Sequence, residues 1–243
     1  MWEDTPVIER SERRVRVRLG DRTIADSHRC WLLIEYGPQR LPTYFFPRAQ
    51  IDPAAIGDEI RRENGRIYFA MPGMTGAWAW TFESPQADLA PLAQCLSFGW
   101  QAPLQWFEED EPVFVHARDP HKRVDALRSS RHVVISYGGE LLAESTSPVL
   151  MFETGLPVRY YLPPDDVCAH LQPSDLRSAC PYKGDAVYFH VAAGDEYVEN
   201  LVWAYPQPIA ECASIKGRVC FYNEKVEILV DGEPQPRPRT PWS

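Results

Sequence analysis

Five consecutive residues, Cys180-Pro181-Tyr182-Lys183-Gly184, bring a thiol, a phenol and an ammonium group together in a stretch whose proline and glycine suit a turn. A lysine in such a turn can point its ammonium into a cleft. There it could pair with a carboxylate or phosphate, or act as a nucleophile if burial lowers its pKa. A surface lysine that only packs its stem is the competing reading of Lys183. A cysteine held near a lysine has its thiolate favoured, so Cys180 is a candidate nucleophile; it also fits a small hydrophobe at a strand end. Pro181 could simply fix the turn. Asp185 could orient Lys183 or cap the turn.

Downstream, alternation places Tyr188 and His190 on one face of a strand beginning near Asp185, and Trp203 and Tyr205 on one face of the next. If the strands are neighbours, the four side chains form an aromatic wall suited to a planar or cationic ligand. His190 is the member of this set that titrates near neutrality. It has no His or Cys partner at ligand spacing, so no metal is expected. Glu153 could be a general acid or base, or a structural carboxylate paired with an arginine such as Arg159. The catalytic candidates are thus Cys180, Lys183, His190 and Glu153. The ligand-binding candidates are Tyr182, Lys183, Asp185, Tyr188, Trp203 and Tyr205. The chain has no glycine-rich phosphate loop, no dinucleotide fingerprint, no nucleophile elbow and no paired-Asp magnesium motif. No cofactor is expected.

The elements that must position these residues occur twice. Residues 15–37 lie over residues 133–155 at an offset of 118, with seven of 23 positions identical, where chance would give about one or two. Tyr44-Phe45-Phe46-Pro47 matches Tyr160-Tyr161-Leu162-Pro163, and Ile67-Tyr68-Phe69 matches Val187-Tyr188-Phe189. Trp80 matches Trp203, Phe82 matches Tyr205 and Phe98 matches Phe221, all in the same order. Because Trp80 and Phe82 occupy the places of Trp203 and Tyr205, core packing competes with a ligand wall. The motif is not shared: in this register it faces Ile60-Arg61-Arg62-Glu63-Asn64, and His190 faces Ala70. Its loss from one copy suggests a task other than folding; a different local loop is the alternative. Glu153, repeated as Glu35, favours a structural role.

Each copy predicts a first hairpin turning at Gly20-Asp21 or Gly138-Gly139. Strands follow at Cys30–Tyr36 and Val149–Phe152, then at Thr43–Phe46 and Val158–Leu162. Short helices are predicted over Asp52–Arg62 and Pro164–Leu171. Two strands come next, Arg66–Met71 with Ala77–Phe82 and Ala186–Ala192 with Tyr197–Tyr205. A second short helix, Gln86–Cys95 or Pro208–Ile215, leads to a closing strand pair. The polar stretch 116–130 reads as the boundary. It gives a first module, 1–120, with a degenerate motif and a second, 121–243, that carries it.

The segment Cys180–Tyr188, with Tyr160-Tyr161-Leu162-Pro163, Trp203-Ala204-Tyr205-Pro206, Phe221-Tyr222 and Asp231-Gly232, resembles the signature of the bacterial domain-of-unknown-function family 427, also catalogued as nucleotidyltransferase-like. The linker from Arg118-Asp119-Pro120 to Ser129-Ser130-Arg131 is similar to that of tandem members. The resemblance implies a mainly β protein of two tandem antiparallel β-tent-like domains with a few short helices. That architecture is similar to the thalidomide-binding domain of cereblon, methionine sulfoxide reductase B and glutathione-dependent formaldehyde-activating enzymes. It implies no activity. Those proteins hold zinc through paired C-x-x-C motifs, which this chain lacks.

Composition narrows the function classes. A 44% hydrophobic chain with 8 Trp, 11 Tyr and 10 Phe can bury a core. Its 23 prolines favour many short elements joined by turns. A formal charge of −9 repels phosphate backbones, so nucleic acid is not an expected partner. Arg14, Arg16 and Arg18 alternate with Val15, Val17 and Leu19, as on the wet face of a half-buried strand. The N-terminus lacks the basic and apolar regions of a secretion signal, and no apolar run approaches the ~18 residues of a membrane span. Six scattered cysteines without close pairs fit reduced thiols in the cytoplasm. The sequence therefore predicts a protein that binds an unknown small molecule near Cys180–Gly184. A metabolic enzyme using Cys180 or Lys183 is one alternative. A scaffold, or a homodimer built on the first copy, is another.

Overall fold

The computed structural model describes residues 6–37, 40–193 and 196–240. It comprises two units, Met1–Asp119 and Pro120–Ser243. The first runs through β1 (Val7–Arg10), β2 (Val15–Leu19), β3 (Arg22–Ser27), β4 (Trp31–Ile34), β5 (Thr43–Pro47) and β6 (Glu59–Glu63). It continues through β7 (Arg66–Phe69), β8 (Ala79–Phe82), β9 (Cys95–Phe98), β10 (Leu104–Glu108) and β11 (Glu111–Val113). The second repeats the series as β12 (Val124–Arg128), β13 (Val133–Tyr137), β14 (Glu140–Ser145), β15 (Val149–Glu153), β16 (Arg159–Leu162) and β17 (Leu171–Cys180). It ends with β18 (Gly184–Ala193), β19 (Glu196–Ala204), β20 (Val219–Phe221), β21 (Glu227–Val230) and β22 (Glu233–Pro234).

Each unit holds one seven-stranded and one four-stranded antiparallel sheet. The strand orders are β1-β4-β5-β9-β8-β7-β6 and β11-β10-β2-β3 in the first unit. In the second they are β12-β15-β16-β20-β19-β18-β17 and β22-β21-β13-β14, the same topology strand for strand. This is the mainly β, tandem, antiparallel architecture with few short helices that the sequence predicts, with two sheets in each unit. Alternation explains the cores. In the first unit Val15 and Val17 of the small sheet meet Tyr44, Phe46 and Phe98 of the large one. In the second, Val133 and Ile135 meet Tyr160, Leu162 and Phe221. Each such side chain contributes about 1.5–3 kcal/mol by leaving water. The intervening residues, Phe45 in one unit and Tyr161 in the other, face the opposite side of the large sheet.

Two predicted helices are reduced to single 3₁₀ turns, each followed by irregular chain that leads into a strand. Over Asp52–Arg62 only Pro53–Ala55 forms a 3₁₀ turn, capped by the Asp52 carboxylate accepting from the Ala54 N–H at 2.9 Å; β6 then begins at Glu59. Over Pro164–Leu171 only Pro164–Asp166 is helical, and β17 begins at Leu171. Both strands lie at sheet edges, where one side of the ladder and much of the surface meet water. No apolar alternation is required of such strands. The predicted helices at 86–95 and 208–215 are present as 3₁₀ segments, Ala87–Gln94 and Ala210–Ile215. The polar stretch 116–130 contains β12, which pairs with β15. Among the described residues no helix is long and apolar enough to cross a membrane.

The arginine face of β2 is paired as a solvated face should be. Arg14 bonds Asp26, Arg16 reaches Asp110 at 2.7 Å, and Arg18 lies 3.7 Å from Asp21.

Candidate functional site

The motif is the tip of the β17–β18 hairpin. Cys180 pairs with Gly184, and the Lys183 N–H donates to the Cys180 carbonyl at 3.2 Å across a turn with Pro181 in its second position. Gly184 has φ +105°, where other residues are strained. A Cβ there would stand 3.0 Å from the Gln207 carbonyl oxygen. That close approach lets the Ile209 N–H reach the Lys183 carbonyl at 3.1 Å, tying the turn to the chain that leads into Ala210–Ile215. The Cys212 thiol donates to the Tyr182 carbonyl at 3.3 Å from the same side.

Lys183 reaches back to the end of β15 and pairs with Glu153. A second ammonium, Lys122, lies 3.4 Å from the other oxygen of the same carboxylate and 5.8 Å from the Tyr182 ring centroid. Lys122 is held there by β12: the Thr154 N–H donates to the Arg123 carbonyl, and the Arg123 N–H donates to the Thr154 hydroxyl, both at 3.0 Å. The side chains of Lys183, Glu153 and Lys122 are 12%, 7% and 9% exposed. Burial alone would lower the Lys183 pKa, but the neighbouring Cys180 and Glu153 outweigh it and hold the value above that of an ordinary lysine. The ammonium form is thereby favoured over the free amine that a lysine nucleophile needs. Sequence reasoning missed Lys122: one lysine in a polar linker carries no periodic or motif signal.

The aromatic candidates share the sheet face above this cluster. Tyr188 pairs with Trp203 across β18 and β19, as neighbouring strands require, and both are buried with Tyr205. The Trp203 indole N–H donates to the Tyr161 hydroxyl at 3.1 Å, and Tyr222 lies 4.6 Å from Trp203, centroid to centroid. Burial, reinforced by Cys180, Tyr188 and Glu153, pushes the Tyr205 hydroxyl far up. The Tyr205 phenol is therefore a neutral donor at physiological pH.

Arg159 shares this face but does not pair with Glu153. It makes two 2.7 Å bonds to Glu224, and its guanidinium lies 5.4 Å from the Trp203 centroid. His190 is on the Tyr188 face by alternation, but β19 bulges opposite it at Asn200. The Asn200 N–H donates to His190 Nδ1 at 3.2 Å, and Tyr197 lies 5.3 Å from the imidazole. Those contacts set it apart from the Lys183 turn. Asp185 is exposed, on the opposite side of β18 from Gly184 and Ala186. The structure thus gathers Cys180, Tyr182, Lys183, Glu153 and Tyr205, lays Tyr188 and Trp203 beside them, and leaves out His190 and Asp185. Among the described residues no group of three or more His, Cys, Asp or Glu is arranged to hold a metal.

In the first unit the corresponding hairpin, β6–β7, turns through Asn64-Gly65, both at positive φ, a two-residue loop without the motif. The alternative of a different local loop therefore holds. Glu35 keeps a cation there, Arg66 at 3.3 Å, whose guanidinium lies 4.1 Å from the Trp80 centroid.

Two sheets folded into a tent, given twice, with one polar cluster at the tip of the second copy's long hairpin, define a tandem β-module protein. The chain belongs to the family described as Domain of unknown function (DUF427), which matches it twice, over residues 7–109 and 125–232. Among curated proteins none matches the chain.

Proposed function

We propose that the second unit is a binding module for a small molecule carrying an anionic group, anchored by the ammoniums of Lys183 and Lys122. One observation carries the reading: three charged side chains from three separate segments converge in a nearly buried spot, two ammoniums on one carboxylate. Buried ion pairs are poor stability devices, since apolar replacements are often neutral or stabilising. Perturbed titratable groups gathered among aromatic walls are better candidates for recognition. Two ammoniums on one carboxylate leave the trio with a net positive charge, which suits a carboxylate or phosphate. Six free thiols accord with a reducing cytoplasm as its setting.

The test is native mass spectrometry of the gently purified full-length protein, alongside Lys183→Met. An excess mass that is lost on denaturation and missing from the variant supports the reading. An excess mass retained in full by Lys183→Met places the ligand elsewhere and sinks it.

A further inference from the structure

Six thiols in one chain differ sharply in what surrounds them. Cys30, Cys95, Cys212 and Cys220 are buried. Burial pushes Cys30 and Cys220 up to about 12 and Cys212 up to about 11, so they are protonated as well as shielded. Cys168 is exposed and Cys180 is half-buried. Cys180 begins the turn that carries Lys183, and it packs against the cluster of Tyr188, Tyr205 and Cys212. Lys183 cannot swing away, because Glu153 holds its nitrogen and the Cys180–Lys183 hydrogen bond fixes its backbone. A thiol beside a pinned ammonium is a preorganised nucleophile. With Lys122 bound to the same carboxylate, an incoming anion meets two cations.

We propose that Cys180 is the reacting group of this site, exchanging with small disulfides that carry an anionic group, so that the module holds a thiol compound as a mixed disulfide. The proposal rests on the anion-binding reading and names the class of molecule it serves. The Cys180 thiolate attacks one sulfur of R–S–S–R. The bond from Cys180 Sγ to that sulfur forms, the original S–S bond breaks, and the leaving RS⁻ takes the electron pair and a proton from water. Cys180 is oxidised, half of the disulfide is reduced, and no other oxidant is needed.

The test uses the reduced full-length chain and two aromatic disulfides, the dianionic dithiobis(nitrobenzoate) and the neutral dithiodipyridine, with modified cysteines located by peptide mapping. Cys168 is the internal control. With the anionic reagent Cys180 reacts about tenfold faster than Cys168, the low end of what attraction to fixed charges confers, and the ratio falls with the neutral reagent. Lys183→Gln lowers the Cys180 rate and leaves that of Cys168 unchanged. Should the variant unfold, all six cysteines react alike, and the wild-type comparison of the two reagents decides alone. A Cys180 no faster than Cys168, or one indifferent to reagent charge, overturns the proposal. Native mass spectrometry of Cys180→Ser separates the two readings. A Lys183-dependent ligand retained by Cys180→Ser, with an unreactive wild-type Cys180, removes the exchange chemistry and leaves the binding reading. A reactive, charge-selective Cys180 without any bound ligand does the reverse.

Discussion

Truncating the two partners of the Glu153–Lys183 pair should carry unequal costs. Lys183→Met leaves Glu153 facing Lys122, whose nitrogen lies 3.4 Å from the carboxylate. Glu153→Leu leaves two ammoniums, 12% and 9% exposed, with no carboxylate between them. Removing one partner of a buried pair costs about 3–5 kcal/mol. The surviving Lys122 should hold the cost of Lys183→Met to about 2 kcal/mol, below that range. Glu153→Leu should reach the top of it, because two nearly buried ammoniums then lose the carboxylate they share. The double variant Lys183→Met/Glu153→Leu should be less destabilised than Glu153→Leu, since it removes one orphaned charge. Native-state hydrogen exchange, read on peptides of β15 and β18, reports the second unit separately from the first. A Lys183→Met variant as damaged as Glu153→Leu, or a double variant worse than either, would refute the two-on-one arrangement of charges.

Two further outcomes follow from the geometry. Burial works to raise the Glu224 pKa, but two bonds from Arg159 and one from Thr240 lower it below the ordinary 4.5. The folded state thus releases this proton more readily than the unfolded chain. Its stabilisation is complete above pH 4.5 and is lost as pH falls through the lower folded value. The urea midpoint of the second unit should therefore drop between about pH 6 and about pH 3, and drop less in Arg159→Met/Glu224→Leu; equal drops would show that Glu224 does not govern it. Gly184→Ala forces a Cβ to 3.0 Å from a backbone oxygen at φ +105°, whereas Gly217→Ala, at φ +72°, meets nothing within 4 Å. Both should lose the ~1–2 kcal/mol typical of positive φ, and Gly184→Ala should lose at least about 1 kcal/mol more; equal unfolding free energies would contradict the tight packing of the turn.

What the sequence made legible is what burial on both faces of a sheet enforces. Tyr44-Phe45-Phe46-Pro47 and Tyr160-Tyr161-Leu162-Pro163 stand in the middle of the large sheets, so every side chain has a neighbour to match and the pattern recurs. Tyr188 and Trp203 became neighbours for the same reason. The edge strands β6 and β17 escaped notice because each pairs on one side only and most of its residues are exposed. Lys122 escaped because a charged residue in a polar stretch looks solvated until the β12–β15 ladder carries it inward. The choice of Arg159 for Glu153 failed on competition. Register sets Arg159 opposite Met151, two residues from Glu153, yet the segment between β20 and β21 brings Glu224 within two-bond reach of the guanidinium. Spacing along one strand cannot reveal a competitor delivered by another.

The comparison of the two copies then sharpens which residues could serve something other than the fold. The shared carboxylate has a cationic partner in each, Arg66 for Glu35 and Lys183 for Glu153. A cation on that carboxylate is therefore common to both copies, and what is particular to the second is that the cation is an ammonium held in a turn. In the first, Arg66 supplies the cation with its guanidinium over Trp80 and Phe82, at 4.1 and 5.8 Å from their centroids, in an aromatic cluster that includes Phe45. The second unit differs: a wider turn, whose glycine lets the chain before Ala210 approach, sets a thiol at its first residue and a second ammonium opposite. What the second copy adds is Cys180 and Lys122. Those two residues, set beside the Glu153–Lys183 pair, are where chemistry beyond folding should be sought.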